Sequence, residues 1–469
     1  MSSKLSVSLL VCGMLGLDVF AQEKLNLEAC VQTAWNNSLS VRQSEISQKQ
    51  ALLQKRQAYW ARFPSASANV QEAVNAGRSI DLTSYQFVNQ VMNSTNFGLN
   101  LSMPLYSGFQ LKNNLEKTQI DAQATDQDLA QTRRDLALAV SQAYLSVLLA
   151  EENAEIFTKQ LELSQAQLAR TQKLIDAGTL PENTRYDLEA QIARDEQNTL
   201  NGENNIRLAY LNLKTIMNYG LEKELKIEKV TVVIPEKVEK VGFEQVYNEA
   251  QASQPNLVAA QLREKSAEMS VEIAKGALQP TISAYANLST NFSSTGTYFT
   301  GDTIYATQNL NINLGGQSVN LQIPQAIPER KSSPFFKQLG TNFTQAIGVR
   351  AQVPIFNGFQ TRINIERAKL SQQTAALNTM QVKNRLQSDI QKAILEADAA
   401  ERRLKAAEKT LKATQNSVDN SRKRFDAGLV NMFEYLSVQN TLISAQSNLA
   451  QARYDYLFKL KVIDFYRGI

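Results

Sequence analysis

The side chains that most often carry chemistry are thinly supplied in this chain. Histidine is absent from all 469 residues, which removes imidazole general bases and imidazole metal ligands. The sequence has no Gly-rich phosphate loop and no cluster of residues at metal-ligand spacing. An enzyme is therefore the least favoured class, and no cofactor is expected. A net charge of +4, evenly spread, argues against nucleic acid as a partner. The residues with a telling spacing are two Asp-Ala-Gly triplets, Asp176-Ala177-Gly178 and Asp426-Ala427-Gly428, which lie 250 apart (426 − 176 = 250). Each interrupts a long helical pattern, where glycine supplies the left-handed residue that commonly ends a helix.

A second pair of landmarks keeps that offset. Met103-Pro104-Leu105-Tyr106-Ser107-Gly108-Phe109-Gln110 matches Val353-Pro354-Ile355-Phe356-Asn357-Gly358-Phe359-Gln360 (353 − 103 = 250). Further upstream the offset is 216: Glu28 matches Glu244, Ala34 matches Ala250 and Pro64 matches Pro280. The chain is thus a duplication. Copy two carries 34 extra residues (250 − 216 = 34) between its two prolines, expected in the loop joining two strands, where insertions are tolerated.

Residues 1–21 read as a secretory signal, with Lys4 before an apolar core and Ala21 at the cleavage site. Cys12 is not expected to make a lipoprotein signal, because Val11 before it is not small. Cleavage leaves Cys30 alone, read as a small buried hydrophobe. Residues 22–218 form the first structural repeat, 219–242 a linker or equatorial segment, and 243–469 the second repeat.

Each repeat reads as a half-length helix, two strands, a long helix, a Gly turn and a return helix. The first helix spans 27–62. A strand at 65–74 carries Ala66, Ala68 and Val70 on one face. Residues 75–95 read as polar loop. At 96–105, Phe97, Leu99, Leu101, Met103 and Leu105 alternate with polar residues. Copy two repeats the pattern at 281–292 and 343–353. Each strand is long enough to cross a bilayer at a tilt. Long helices follow at 108–175 and 358–425, each roughly 100 Å at about 1.5 Å per residue. A seven-residue seam runs from Leu136, Val140 and Ala143 to Thr171 and Ile175, and again from Leu386, Ile390 and Ala393 to Ser421 and Phe425. Such a sustained period implies left-handed supercoiling. Return helices span 181–217 and 432–463.

Four amphipathic strands cannot stand alone in lipid, because open edges leave unpaired backbone groups, each costing several kcal/mol there. Closure with strands from other copies is the remedy. The polar helices must then project from one side of the membrane. The rival reading is a secreted coiled-coil scaffold with a small β-domain and no pore. A scaffold, however, needs no lipid-facing row.

On the duplicated plan, the Pro-x-Tyr/Phe-x-Gly-Phe junctions and the Gly turns, nearly the whole mature chain resembles the TolC family of outer-membrane efflux proteins. The resemblance implies a mainly α fold with membrane strands. A homotrimer would form a 12-stranded β-barrel over a periplasmic α-helical coiled-coil tunnel. It implies a bacterial outer-membrane location with a long periplasmic extension, in contact with lipid. The implied function is a passive exit duct of a tripartite efflux or type I secretion system, with a periplasmic adaptor and an inner-membrane pump of RND, ABC or MFS type. Gly428, Leu429 and Val430 resemble the family's adaptor-contacting tip, with Gly178, Thr179 and Leu180 as the less exact counterpart. Glu434, and Asp187 after the first tip, resemble acidic residues that narrow the periplasmic mouth. Ser437 departs from a second acidic position there. Glu434 also reads simply as a helix-initial carboxylate favoured by the helix dipole. Pro104, Tyr106, Gly108 and Phe109, with Pro354, Phe356, Gly358 and Phe359, mark the barrel-to-helix junctions.

The face assignment is testable. Leu101→Arg or Val349→Arg should each cost about 2–4 kcal/mol near a bilayer midplane, read as lost membrane assembly. Unchanged assembly of both variants would show that the assigned face does not meet lipid.

Overall fold

The computed structural model describes residues 24–80, 87–89, 91–229 and 242–468. The expected signal and the linker stretch 230–241 lie outside the described residues. The first repeat contains α1 (Leu27–Asn37), α2 (Leu39–Trp60), β1 (Ser65–Asn75), β2 (Arg78–Ile80), β3 (Phe87–Asn89), β4 (Met92–Ser107), α3 (Gln110–Asp176) and α4 (Asn183–Ile216). The second contains α5 (Phe243–Ser253), α6 (Pro255–Gly276), β5 (Thr281–Ser293), β6 (Thr297–Leu314), β7 (Gln317–Ser332), α7 (Phe335–Thr341), β8 (Thr344–Gln352), α8 (Gln360–Asp426) and α9 (Met432–Arg467). The described residues fall into two compact units. One draws on Met1–Gln50, Gln123–Arg263 and Ala376–Ile469, and the other on Ala51–Ala122 and Glu264–Ala375.

The second unit is built on a four-stranded antiparallel sheet of order β1-β4-β5-β8. Its register turns the sequence alternation into one continuous face. Leu101 lies opposite Ala66 on one side and Ala286 on the other, and Ala286 lies opposite Ile347. Met103, Ala284 and Val349 form the next row. Because the side-chain period is two, a slip of one residue would turn this whole row to the other face. That other face is polar, with Ser102 opposite Ser65 and Tyr285, and Asn100 opposite Ser67 and Asn287. On it the Tyr285 ring covers Gly348, where a Cβ would lie 2.7 Å from the phenol oxygen. Arg350 sits 5.6 Å from the centre of the same ring.

The other unit is helical, and its core follows the seam. Val140, Ala143, Val147, Ala154 and Ser164 are buried on α3, and Leu386, Ile390, Ala393, Ala397, Ala400 and Leu404 on α8. Small residues let neighbours approach closely: a Cβ on Gly202 of α4 would lie 3.2 Å from the Ala154 backbone. The segment after α4 packs into this core. Leu25 and Ile227 form a parallel bridge. Leu225 and Ile227 join Cys30, Val140, Tyr144 and Leu213 in one buried cluster. The Tyr144 hydroxyl donates to the Glu228 carbonyl at 2.6 Å.

Three expectations are corrected. The first helix is not continuous: Ser38 takes an extended conformation between α1 and α2, and Gln254 does the same between α5 and α6. These positions are equivalent at the 216 offset, and Pro255 opens the helix after the second break, where its missing N–H costs nothing. The 34-residue excess is not loop. It lies in a region that forms the long hairpin β6–β7, with Ile304 opposite Ile327 and Leu310 opposite Leu321, closed at Gly315-Gly316. Both glycines have positive φ, 60° and 93°, as a two-residue hairpin turn requires. Residues 75–95 are not all loop either, since β2 pairs with β3 and β4 begins at Met92.

Burial pushes the Cys30 thiol from 9.0 up to about 11. The folded thiol therefore keeps its proton while an unfolded one ionises. This contribution to stability is complete below pH 9 and is lost as pH rises toward about 11. Iodoacetamide should label Cys30 only on unfolding at pH 8, and chemical-denaturation midpoints should fall from pH 9 to pH 10.5. Labelling of the native protein at pH 8 would contradict the burial.

Candidate functional site

The two tips are built alike. In the first, Gly178 N–H donates to Ile175 O at 2.8 Å and Thr179 N–H to Leu174 O at 2.9 Å. In the second, Gly428 N–H donates to Phe425 O at 2.9 Å and Leu429 N–H to Arg424 O at 2.8 Å. This paired pattern satisfies the last carbonyls of a helix and needs a left-handed residue at its centre. Gly178 and Gly428 supply it, with φ of 74° and 73°. A Cβ at either would meet nothing within 4 Å. Both glycines therefore serve backbone conformation and not packing.

Beyond the turns the tips differ. Thr179 spends its hydroxyl on Leu174 O at 2.8 Å, and Leu180 is half-buried. Pro181 and Glu182 then lead into α4, whose first residue has no side-chain cap. At the second tip Asn431 caps α9, its Oδ1 accepting from Glu434 N–H at 2.8 Å. Val430 is half-buried, but Leu429 and Phe433 are 70% and 75% exposed. The second tip thus presents an apolar end that the first lacks. Phe433 was not legible as a tip residue, because a phenylalanine beside a helix start reads as core.

The two acidic candidates are not brought together by any contact in the chain. Glu434 faces Arg424 of α8 at 3.6 Å, both about half exposed. Such a pair is worth little, so Glu434 is free to turn elsewhere at small cost. Asp187 is exposed on α4, beside Leu188, which is buried against Met432, Tyr435 and Leu436. That cluster and the Arg170–Asp426 pair at 3.2 Å tie the two tips together, and the stacked Phe425–Tyr435 rings at 5.5 Å close the second tip on itself.

Away from the tips lies a polar layer that the sequence did not reveal. Ser164 donates to Asp195 at 2.6 Å, and Gln191 donates to Asp195 at 2.9 Å and to Asn440 at 3.0 Å. Gln160 donates to Ser164 at 3.1 Å. Asp195 is 1% exposed. Its carboxylate is therefore solvated by side-chain donors rather than by water, and the layer joins α3, α4 and α9. Ser164, one of the hydroxyls of the seam, was the only member of the layer that the spacing picked out. Nearer the tips the hydroxyls of Thr171 and Ser421, equivalent positions in the two copies, are buried with no hydrogen-bond partner.

The strand-to-helix junctions also match. Gly108-Phe109 and Gly358-Phe359 are consecutive left-handed residues, with φ of 60° and 63° in the first and 62° and 63° in the second. Tyr106 meets Phe109 edge-on at 5.5 Å, and Phe356 meets Phe359 at 5.8 Å. Pro104 sits beside a bulge that frees Leu105 from the β4–β5 ladder. Pro354 lies just beyond the end of β8. Their surroundings differ. A Cβ on Gly108 would lie 2.2 Å from Gly276 O, whereas one on Gly358 would meet nothing within 4 Å. The Tyr106 hydroxyl donates to the Gln279 carboxamide, whereas Phe356 is 78% exposed.

The comparisons with known proteins agree with this architecture. The family described as "Outer membrane efflux protein" matches residues 30–219 and 335–463. The outer membrane efflux protein BepC of Brucella suis is 23% identical over 366 residues, 76% of this chain and 68% of that protein. The outer membrane protein TolC of Vibrio cholerae is 22% identical over 396 residues, 84% of this chain and 79% of that protein. The crystal structure of the outer membrane protein VceC from Vibrio cholerae superposes with a TM-score of 0.74 at 14% identity, covering 94% of this chain and 96% of that one.

The tip glycines can be tested directly. Gly428→Ala should destabilise the last turn of α8 by about 1–2 kcal/mol, the cost of a left-handed alanine, and Gly428→Asn by less. Hydrogen exchange of the amides of residues 424–429 should accelerate in that order. Equal exchange in both variants would show that the turn does not depend on the left-handed residue.

Proposed function

Since the chain belongs to the outer membrane efflux protein family and is an exit duct of the bacterial outer membrane, we propose that it conducts passively as a homotrimer. Three copies of its four-stranded sheet supply 12 strands (3 × 4 = 12) to one closed barrel. Outer membrane efflux proteins work with an adaptor and an inner-membrane pump. Here the exposed Leu429 and Phe433 make the second tip the stronger adaptor contact, with Gly428 and Val430 beside them. Gly178, Thr179 and Leu180 form the weaker one. Specificity for cargo, and for a pump of RND, ABC or MFS type, then lies in the partners.

One observation carries this reading. The sheet has an apolar face in register across all four strands, and its outer strands β1 and β8 have no further partner strand among the described residues. Such a sheet is stable in hydrocarbon only if its edges are paired. A pore-less scaffold in water would bury that face or blunt those edges with charge.

At the periplasmic mouth, threefold symmetry would bring three Glu434 side chains toward one axis, with Asp187 on the neighbouring return helix. Like charges held close favour bound cations. Purified protein in a planar bilayer should conduct with a preference for cations. Glu434→Gln should lower that preference and weaken block by divalent ions added on the periplasmic side, without loss of trimer. Absence of conductance would remove the duct reading. Conductance with unchanged selectivity and block would remove Glu434 from the mouth.

A further inference from the structure

The β6–β7 hairpin stands outside the four-stranded sheet, and among the described residues it pairs with no other strand. Its register sorts side chains by face. Ile304, Leu310, Leu321, Ile323 and Ile327 share one face, interrupted by Gln308 and Gln325. Thr307, Asn309, Asn311, Asn320 and Gln322 share the other. The five apolar residues are each 40–50% exposed. Residues 303–328 contain no charged side chain, although 20% of the chain is charged. A two-stranded hairpin alone is marginally stable in water, and strand edges that face water are ordinarily guarded by charge. This hairpin is amphipathic, uncharged and uncovered.

The side of the sheet to which that face belongs follows from α7. The Phe335 ring centre lies 5.0 Å from that of Phe292 and 6.3 Å from that of Phe97. Phe292 and Phe97 continue the apolar rows of Ala286 on β5 and Leu101 on β4. The Thr290 hydroxyl, in the same row as Phe292, donates to Leu339 O at 2.7 Å. The helix α7 therefore packs on the apolar face of the sheet, at the end where β5 leaves it. Lys337 of α7 in turn sits 3.1 Å from the centre of the Tyr298 ring. Tyr298 pairs with Lys331, which shares its face of β7 with Ile327 and Ile323. The apolar face of the hairpin thus leaves the sheet on the side where the sheet's own apolar face lies. In the barrel reading that side points away from the lumen, so the hairpins of other copies around the axis do not cover it.

The base of the hairpin has the makings of a bend and of a membrane surface. Residues 300–302 of β6 lie opposite Glu329 alone, and Gly301 among them has φ of 89°. Such a bulge bends the strand that carries it. Around it, Arg330 sits 4.7 Å from the centre of the Phe299 ring, and Phe336 is 84% exposed beside Lys337. Aromatic and long basic side chains keep an apolar body in lipid and a polar tip in water. The strands run to this end from the helices that precede Thr281 and follow Gln352. With those helices on the periplasmic side of the outer membrane, it lies at the outer leaflet. We propose that the β6–β7 hairpin leans outward at its bulge and rests its apolar face on the acyl chains of the outer leaflet, its Asn-rich face toward water and its basic and aromatic base at the level of the headgroups. A face that points outward from the barrel turns down onto the membrane when the hairpin tips outward. The proposal rests on the reading that the sheet's apolar face meets lipid, and adds to it a lipid contact outside the barrel strands.

The test uses the full-length protein in vesicles of phosphatidylcholine and phosphatidylglycerol. A nitroxide is attached at one site at a time through Leu321→Cys, Ile323→Cys, Asn320→Cys, Gln322→Cys and, on the sheet, Val349→Cys. Cys30 is buried and stays unlabelled. Access to oxygen, which collects among acyl chains, is compared with access to a nickel chelate supplied in the water on both sides. Oxygen should outweigh nickel at the Leu321, Ile323 and Val349 sites, and nickel should outweigh oxygen at the Asn320 and Gln322 sites. Nickel outweighing oxygen at Leu321 and Ile323, with the Val349 site still in lipid, would overturn the resting hairpin and leave the lipid-facing sheet standing. Nickel outweighing oxygen at Val349 would overturn the lipid-facing sheet, and the proposal with it. Exclusion of both reagents from Leu321 and Ile323 would show that protein, and not lipid, covers the face. Oxygen outweighing nickel at all four hairpin sites would place the hairpin inside the membrane, which also overturns the proposal. Deleting Gly301 and Asp302 makes the ladder regular without exchanging the faces, and should return the Leu321 and Ile323 sites to water. Unchanged oxygen access in that deletion would overturn the bend at the bulge.

Discussion

The constraint on which this structure depends is the unpaired backbone at the two edges of its sheet. In water an open edge is tolerable. In hydrocarbon each unpaired N–H or C=O costs several kcal/mol, more than any side-chain contact described here returns. A four-stranded sheet with an apolar face across all its strands, and with both edges bare among the described residues, is therefore incomplete as a folded object in lipid. In lipid its completion would need strands from outside the sheet.

The two repeats are equivalent in backbone more than in side chain. Both strand-to-helix junctions use two left-handed residues, the second a phenylalanine, although a non-glycine residue there costs about 1–2 kcal/mol. Both tips end in the same hydrogen-bond pattern. Divergence is concentrated where the settings differ. The first tip spends a threonine hydroxyl on its own helix, while the second exposes Leu429 and Phe433. Between the sheet strands, the first copy forms the short β2–β3 pair and the second the long β6–β7 hairpin.

Much of this was legible because it follows from periodicity. The alternation around Leu101 and Val349 gave the apolar face, and the four-three spacing of Val140, Val147, Ile390 and Ala397 gave the buried seam. What escaped has local physical reasons. Ser38 breaks a helix whose apolar pattern runs straight through it and leaves little compositional mark, whereas the equivalent break at Gln254 is marked by Pro255, which forces the residue before it toward extended backbone. The long hairpin hid behind its own alternation. Its residues were read as loop, although Gly315-Gly316 between Leu310 and Leu321 marks a hairpin turn. The Asp195 layer could not be read at all, since Gln191 and Asn440 find each other only in three dimensions. Glu434 and Asp187 were reachable only through resemblance, and their exposure in the single chain is compatible with either role considered for them.

The seam itself is not uniform along its length. Toward the tips every second seam residue carries a hydroxyl: Ser164 and Thr171 on α3, Thr414 and Ser421 on α8. Away from the tips the same rows hold Leu136, Ala143 and Ala150 on α3, and Leu386, Ala393 and Ala400 on α8. Thr171 and Ser421 are buried without partners, a debt of about 1–3 kcal/mol each that water would settle on separation. The seam is therefore graded in kind: apolar burial alone holds the rows far from the glycines, while the rows near them also keep two hydroxyls from the water they would otherwise bind.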